Sequence, residues 1–289
     1  MTDDLRADKG VLEEPPAQDD VADALLVVDG LAKTYPLPGG GRLTAAEDVS
    51  FRVAPGGSVG IVGESGSGKT TVARMIIGLV RPDSGTVTVG GRPRAARTPR
   101  RRAARLAGAR EIQMVFQDPY VSLDPRLTAG QCLRTVLRLH GRDEALAVEL
   151  LERVGLGGRE AEVRPRQLSG GQRQRLAIAR ALAVEPQVLV LDEAVAALDV
   201  SVQAQILELL DDIRRDTGVA LVFVSHDLAV VQHITDEVLV MRRGRVVEQG
   251  PTRRVLTEPA DPYTRLLLAS VPGDGWDPDD AVAARAALA

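Results

Sequence analysis

The stretch Gly63-Glu64-Ser65-Gly66-Ser67-Gly68-Lys69-Thr70 decides the fold, because it matches every position of the phosphate-binding loop pattern. A short apolar run, Val59–Val62, precedes the loop, and apolar residues at helical spacing follow it up to Val80. Glycines let such a backbone wrap around a polyphosphate, and the start of the next helix directs N–H groups and a partial positive charge toward it. We therefore expect Lys69 to reach the β- and γ-phosphates of a nucleotide and the Thr70 hydroxyl to ligate Mg²⁺.

A second part of such a site is an acidic pair at the end of a buried strand. The run Val188–Leu191 is continuously apolar, which is typical of a parallel strand covered on both faces. Asp192 follows it and is predicted to hold Mg²⁺, directly or through water. Glu193 comes next, where its carboxylate could polarise the attacking water as a general base. Many strands end in acidic residues, so this prediction depends on the loop upstream.

The composition is that of a globular protein and excludes some functions. Of 289 residues, 44% are hydrophobic, and 36 basic against 40 acidic side chains give a net charge of −4. This balance excludes a uniformly cationic nucleic-acid binder, and an aromatic content of 2% argues against a platform that stacks single-stranded bases. The single cysteine, Cys132, cannot form an internal disulfide and is expected to be a small core residue in a reducing compartment.

The first 22 residues are rich in acids and contain Pro15 and Pro16, which predicts a disordered acidic tail over 1–22. The tail lacks the apolar stretch of a signal peptide. The most apolar runs, such as Val219–Val224, are far shorter than the ~20 residues that span a bilayer. We therefore expect a cytoplasmic protein that reaches a membrane only through a partner.

Strands and helices alternate along the rest of the chain, which predicts an α/β sheet. Leu25–Leu31 and Val49–Val53 predict a β-rich entry around a turn at Pro36–Gly41. Helical spacing from Leu127 to about Val154 predicts a helical insertion in the middle of the sheet. The other predicted elements are strands at Gly85–Val89, Ile112–Phe116 and Val219–Val224, helices at Gln172–Val184, Val202–Ile213 and Leu228–Ile234, and a hairpin of Val238–Met241 with Arg245–Val247.

The segment Leu168-Ser169-Gly170-Gly171-Gln172 completes a set of motifs. Together with the loop, the acidic pair, Gln117 and His226, in this order, it makes the sequence from about Asp23 to Pro272 resemble the ATP-binding subunit of ABC transporters. The resemblance implies an α/β P-loop NTPase fold with an antiparallel β subdomain and an inserted α-helical subdomain. It also implies an ATPase that uses ATP and Mg²⁺.

This resemblance predicts the domain organisation. We expect an ATP-binding domain over 23–250, with its helical insertion at about 118–170. A C-terminal extension is expected over 251–289.

The segment around Ser169 also implies a partner. Ser169 and two glycines before Gln172 form a second helix start that can bind an anion, although a plain capping box has the same sequence. The resemblance implies that this element closes over the ATP held by a second ATP-binding subunit. The two subunits would therefore work as a head-to-tail dimer.

Other positions match the family one by one. Gln117 resembles the glutamine that contacts Mg²⁺ and water and senses the membrane partner. His226 resembles the histidine that contacts the γ-phosphate, Asp199 the aspartate that links the two sites of a dimer, and Tyr35 the aromatic residue that stacks on adenine. The expected catalytic residues are Lys69, Gln117, Glu193 and His226. The expected nucleotide and Mg²⁺ contacts are Tyr35, Gly63, Glu64, Ser65, Gly66, Ser67, Gly68, Lys69, Thr70, Thr71, Gln117, Ser169, Gly170, Gly171, Gln172, Asp192, Asp199 and His226.

Three segments, 115–126, 192–201 and 261–267, resemble the oligopeptide and dipeptide importers of the peptide and nickel group, although that group more often has Ser where Ala196 stands. This implies import of peptides or similar small solutes from the cytoplasmic face of the membrane. The implied partners are two transmembrane permease subunits, an extracytoplasmic solute-binding protein, and a second ATP-binding subunit that is a paralogue or an identical copy. An exporter of drugs or peptide antibiotics remains an alternative. A soluble non-transport ATPase is disfavoured, because the segment from Thr70 to Leu168 has no sustained heptads.

An arginine-rich segment precedes Gln117. Aromatic residues do not interleave with these arginines, and the corresponding stretch of the family is a solvated helix, so we expect no nucleic-acid partner. Its arginines are Arg92, Arg94, Arg97, Arg100, Arg101, Arg102, Arg105 and Arg110.

Overall fold

The computed structural model describes residues 24–94 and 101–270. The predicted tail at 1–22, part of the arginine-rich segment and the far end of the predicted extension lie outside these residues. In chain order, the described strands are β1 (Leu26–Pro36), β2 (Arg42–Val53), β3 (Ser58–Val62), β4 (Ser84–Val89), β5 (Arg92–Pro93), β6 (Ile112–Val115), β7 (Val188–Asp192), β8 (Ala220–Val224), β9 (Glu237–Arg242) and β10 (Arg245–Pro251). The described helices are α1 (Lys69–Ile76), α2 (Arg102–Glu111), α3 (Ala129–Leu139), α4 (Leu146–Arg153), α5 (Gly170–Leu182), α6 (Val200–Thr217), α7 (Leu228–Ile234), α8 (Thr252–Thr257) and α9 (Pro262–Ala269).

A six-stranded sheet in the order β10-β9-β3-β8-β7-β6 forms the centre of the molecule. Its neighbours pair in parallel except for the antiparallel hairpin of β9 and β10. β3, β7 and β8 are buried at every position, which explains why their sequences are almost continuously apolar. Since helices connect the parallel strands, the predicted α/β class is confirmed.

The second sheet has four strands in the order β2-β1-β4-β5, and all of its pairs are antiparallel. It contains the predicted β-rich entry and gives the antiparallel β subdomain that the resemblance implied. Burial in the second half of β2 alternates, with Val49, Phe51 and Val53 buried and the residues between them exposed. This pattern is typical of a strand with one face on the core and the other in water.

Two apolar cores lie on opposite faces of the central sheet, because side chains alternate along its strands. On β7, Leu189 and Leu191 join the core formed with the helices that follow α2. Val188 and Val190 face the other way and join the core formed with α1 and the antiparallel sheet. The central sheet thus holds the helical layer on one side and the β subdomain on the other.

The predicted helical pattern from Leu127 to about Val154 forms two helices, α3 and α4, because the chain turns between them at Gly141, whose φ of 66° is left-handed. A capping box at Thr128 starts α3. The helix after the loop was expected to reach Val80 but ends at Ile76, since Gly78 has a φ of 79°.

The arginine-rich segment is partly structural. α2 has no buried residue, as expected of a solvated helix. Arg94, which precedes it, forms an ion pair of 2.8 Å with Glu111 at its end and donates to the Gly108 carbonyl. In the described part of the chain, no helix is long and apolar enough to cross a membrane.

The C-terminal helices belong to the same body as the central sheet. Val255 of α8 and Tyr263 and Leu266 of α9 are buried in the core on the helical side. Pro262 occupies the first turn of α9, and the Asp261 carboxylate caps that turn by accepting the Tyr263 N–H at 2.7 Å.

Candidate active site

The glycines at both ends of the loop are packed against neighbouring strands. Gly63 has a φ of 147°, and a Cβ placed on it would lie 2.2 Å from the Met241 carbonyl oxygen of β9. Gly68 has a φ of 110°, and its Cβ would lie 2.0 Å from the Ala45 carbonyl oxygen of β2. Both positions therefore require glycine for conformation and for space. A Cβ on Gly66 would meet nothing within 4 Å, so only its φ of 82° favours glycine there.

The Lys69 side chain folds back over the start of the loop. Its Nζ donates to the carbonyls of Gly63 at 2.7 Å and Glu64 at 2.9 Å. The residue is 4% exposed, and burial lowers the pKa of its amine. The carboxylates of Glu193, Asp192 and Glu64 oppose this shift. The ammonium thus lies between backbone carbonyls and acidic side chains, at the base of the loop.

The loop fits a polyphosphate. The Ser67 hydroxyl is buried, and within the described ranges 24–94 and 101–270 it has no hydrogen-bond partner. A buried polar group without a partner is costly, which points to a ligand that the group meets when the site is filled. The N-terminus of α1 follows directly, and its first turn carries no acidic residue that would repel a phosphate.

Thr70 and Asp192 lie together at the Mg²⁺ site that the sequence predicts. The Thr70 hydroxyl donates to Asp192 Oδ1 at 3.1 Å. Asp192 is 6% exposed, and burial raises the pKa of its carboxyl, while the Thr70 hydrogen bond opposes that shift. These are hard oxygen ligands of the kind that Mg²⁺ prefers. Within residues 24–94 and 101–270, no group of three or more His, Cys, Asp or Glu side chains could hold a metal ion.

Glu193 and His226 face each other beside this pair. Glu193 Oε1 lies 3.5 Å from His226 Nδ1, with 22% of the Glu193 side chain and 57% of the His226 side chain exposed. The Glu193 N–H donates to the Val224 carbonyl at the end of β8, which fixes the residue with a left-handed φ of 49°. Left-handed backbone at a residue other than glycine costs about 1–2 kcal/mol and is frequent at functional sites.

Strand register gathers these residues at one edge of the sheet. Ile61 of β3 pairs with Val224 of β8, and Asp192 of β7 pairs with the same Val224. Val115 of β6 pairs with Leu191 of β7. The loop follows β3, the acidic pair ends β7, His226 follows β8 and the exposed Gln117 follows β6. The carboxyl ends of neighbouring parallel strands are where ligands bind in α/β sheets.

Ser169 starts α5 with a reciprocal capping box. Its hydroxyl accepts the Gln172 N–H at 3.2 Å, and the Gln172 side chain accepts the Ser169 N–H at 2.9 Å. A Cβ on Gly171 would lie 2.4 Å from a Val202 methyl group, so this glycine lets α5 pack closely on α6. Gly170 lies at the first position of the helix. In the described part of the chain, no hydrogen bond or ion pair joins this segment to the loop of the same chain.

The remaining predicted residues are exposed or half-buried. Asp199 caps α6 by accepting the Val202 N–H at 3.0 Å, and the Ser201 hydroxyl is the main cause of its lowered pKa. Tyr35 lies near the end of β1, and the Lys33 ammonium lies 5.6 Å from the centre of its ring. The ring is half-buried, with Lys33 on one face. Thr71 follows Thr70 in the first turn of α1 and is half-buried.

Sequence reasoning missed one contact with the loop. The Tyr263 hydroxyl of α9 accepts the Glu64 N–H at 3.0 Å, across 199 positions of the chain. The sequence offered a signal, since residues 261–267 resembled the C-terminal segment of the importer group. That resemblance assigned no role to the tyrosine.

A loop of this kind at the carboxyl edge of a parallel sheet is characteristic of the P-loop nucleotide hydrolases. A family model described as ABC transporter matches residues 46–196. The chain is 49% identical over 264 residues to "Probable peptide ABC transporter ATP-binding protein y4tS" of Sinorhizobium fredii, covering 87% of this chain and 74% of that protein. It is 46% identical over 280 residues to "Glutathione import ATP-binding protein GsiA" of Escherichia coli K12, covering 90% of this chain and 44% of that protein. The chain thus spans less than half the length of GsiA.

Solved structures agree with this match. The dimeric post-hydrolysis structure of the ATP-binding cassette MJ0796, bound to ADP and Pi, has a TM-score of 0.70 and 30% identity and covers 79% of this chain and 99% of that one. CbiO1 from Clostridium perfringens, part of the ABC transporter complex cbiONQ, has a TM-score of 0.70 and 29% identity and covers 82% of this chain and 92% of that one.

The chain therefore belongs to the ABC transporter family, and within it to the ATPases. The predicted resemblance to the peptide and nickel importer group is confirmed by these relatives.

Proposed function

We propose that this chain is the ATP-hydrolysing subunit of an importer for peptides or similar small solutes. The names of its relatives, a peptide transporter protein and a glutathione import protein, support this solute class. The subunit would act at the cytoplasmic face of the membrane on two transmembrane permease subunits, and an extracytoplasmic solute-binding protein would deliver the solute. In this arrangement the ATPase does not contact the solute.

The loop from Gly63 to Thr70, with Thr71, would hold the phosphates of ATP. Lys69 would turn its ammonium from the Gly63 and Glu64 carbonyls, 2.7 and 2.9 Å away, toward the β- and γ-phosphates. Thr70 and Asp192 would hold Mg²⁺, with Gln117 approaching it from the end of β6. A bound Mg²⁺ ion neutralises charge on the phosphoryl oxygens. Tyr35 would stack on the adenine.

Glu193 would activate the water that attacks the γ-phosphate. The observation that carries this role is the position of its carboxylate, next to the buried Asp192 and 3.5 Å from His226 on the neighbouring strand end. His226 would donate a hydrogen bond from an imidazole N–H to the γ-phosphate. General base catalysis of this kind contributes about 10²–10⁴-fold to the rate.

Ser169, Gly170, Gly171 and Gln172 would complete the site of a second subunit. The capping box leaves the Ser169 hydroxyl proton free to donate, since its oxygen is the group that accepts the Gln172 N–H. The helix start of α5 adds its own amides and partial positive charge. Asp199 and the exposed Val200 next to it would lie in the same interface.

The experiment that tests the catalytic proposal is Glu193→Gln. Hydrolysis should fall about 10²–10⁴-fold while ATP still binds, and the nucleotide should trap the subunits as a dimer. Glu258→Gln, an exposed carboxylate at the end of α8, is the matched control and should leave both properties unchanged. Full turnover by Glu193→Gln would assign the base elsewhere. If the Glu193→Gln variant with bound ATP remained monomeric, both in solution and in the membrane complex, the head-to-tail arrangement would be refuted.

Uptake measurements test the solute. Cells that depend on this subunit should lose uptake of a labelled dipeptide when Lys69→Ala replaces it, and the protein should co-purify with integral membrane permeases. Normal dipeptide and glutathione uptake in the variant, or fractionation without any permease, would contradict the importer.

A further inference from the structure

One hydrogen bond connects the C-terminal helix to the loop. The Tyr263 side chain is 2% exposed, and its hydroxyl accepts the Glu64 N–H at 3.0 Å. Burial raises the pKa of this phenol, so the group is a neutral hydroxyl at physiological pH. The bond is partly buried, and without the phenol oxygen the Glu64 N–H would lose the acceptor that it has in this structure, so this bond ties the loop to α9.

Glu64 is held at both ends of its backbone. Its N–H reaches Tyr263, and its carbonyl accepts the Lys69 ammonium at 2.9 Å. The carbonyl of Gly63, which belongs to the same peptide group as the Glu64 N–H, accepts the same ammonium at 2.7 Å. Tyr263 therefore fixes the peptide group whose carbonyl, that of Gly63, accepts the Lys69 ammonium.

The tyrosine itself is anchored from three directions. The Arg242 guanidinium of β9 lies over its ring, 5.0 Å from the centre. The Asp261 carboxylate accepts the Tyr263 N–H at 2.7 Å. On β10, Glu248 accepts the N–H groups of Ala260 at 2.8 Å and Asp261 at 3.1 Å, which places the start of α9. A side chain held in this way can transmit the position of α9 to the loop.

We infer that Tyr263 is a positioning residue for nucleotide binding, which holds the Gly63–Glu64 peptide, and with it the start of the loop, in the backbone conformation that wraps around the β-phosphate. This rests on the proposed nucleotide role of the loop. It gives the C-terminal segment a direct part in the ATPase site, from outside the motifs that define that site.

The test is Tyr263→Phe, which removes one oxygen and keeps the ring beside Arg242. Without nucleotide, hydrogen exchange of the Glu64 amide should become faster than in the parent. The KM for ATP and the Kd for ADP should both rise about two- to tenfold, the range expected for one hydrogen bond. Because both nucleotides carry a β-phosphate, the two changes should be equal, and kcat should stay within about twofold.

Ser270→Ala is the matched control. It removes a hydroxyl from the end of the same helix, one that donates to the Leu266 carbonyl at 2.7 Å and does not touch the loop. In Ser270→Ala, the hydrogen-exchange rate of the Glu64 amide and the affinities for ATP and ADP should equal those of the parent. Thermal unfolding of both variants, followed by circular dichroism, checks that they fold.

Three outcomes would overturn the inference: unchanged exchange at Glu64 in Tyr263→Phe, equal losses of affinity in Ser270→Ala, or a fall in kcat with no rise in KM. Lys69→Ala separates this test from the proposed role of the loop. If Lys69→Ala kept full affinity for ATP, the loop assignment would fail, whereas the exchange of the Glu64 amide would still decide whether Tyr263 holds that peptide.

Discussion

Replacing Gly68 by alanine should destabilise the nucleotide-free protein, and the structure gives a matched comparison at Gly66. Both residues have left-handed φ values, 110° and 82°, so both substitutions introduce backbone strain of about 1–3 kcal/mol. Only at Gly68 would the new methyl group also meet backbone, because it would lie 2.0 Å from the Ala45 carbonyl oxygen. Forcing an extra carbon into a packed site costs about 1–3 kcal/mol more.

The expected difference between Gly68→Ala and Gly66→Ala is therefore about 1–3 kcal/mol in the free energy of unfolding. With a urea m-value of about 2–3 kcal/mol/M, the midpoint for Gly68→Ala should lie roughly 0.3–1.5 M below that for Gly66→Ala. The assay is urea unfolding of the nucleotide-free proteins, followed by circular dichroism. Equal midpoints, or a lower midpoint for Gly66→Ala, would refute the argument that β2 restricts the end of the loop.

Two further predictions concern buried titratable groups. Burial raises the pKa of Asp192, so the folded protein holds the carboxyl proton more tightly than the unfolded chain does. The stability that this group contributes is therefore fully present below its ordinary pKa of 3.8. It is lost as pH rises from there through the raised pKa of the folded state. Asp192→Asn should therefore reduce the decline in stability over that window, as measured by urea unfolding at a series of pH values; an unchanged pH dependence would contradict this reasoning. Cys132 is buried with a pKa raised by burial, so iodoacetamide at pH 8 should label it only after denaturation, and mass spectrometry showing rapid labelling of the native protein would contradict its position in the core.

The central sheet could be predicted because its sequence signal is local. β3, β7 and β8 are buried at every position, so their apolar runs identify them without further information. The helix ends were harder, because Gly78 and Gly141 stop their helices through a single backbone angle within otherwise helical patterns.

The sequence motifs predicted which residues form the candidate site, but not the contacts that distant segments make with the loop. The motifs identified Lys69 and Asp192, and parallel strand register then brings their segments to one edge. The contact of Tyr263 with Glu64, and the carbonyl of Ala45 against Gly68, depend on pairings between distant segments. No periodicity or local propensity reports such pairings, which exist only after the two sheets and the C-terminal helices have packed.

The left-handed backbone of Glu193 has an evolutionary consequence. At a φ of 49°, glycine or asparagine would fit with less strain than glutamate, so selection for folding alone would favour replacing it. Under the catalytic role proposed for Glu193, the demand for hydrolysis would preserve this side chain. In a gene duplicate that no longer has to hydrolyse ATP, replacement of Glu193 by glycine or asparagine should be among the early substitutions. It should raise the free energy of unfolding while it removes activity.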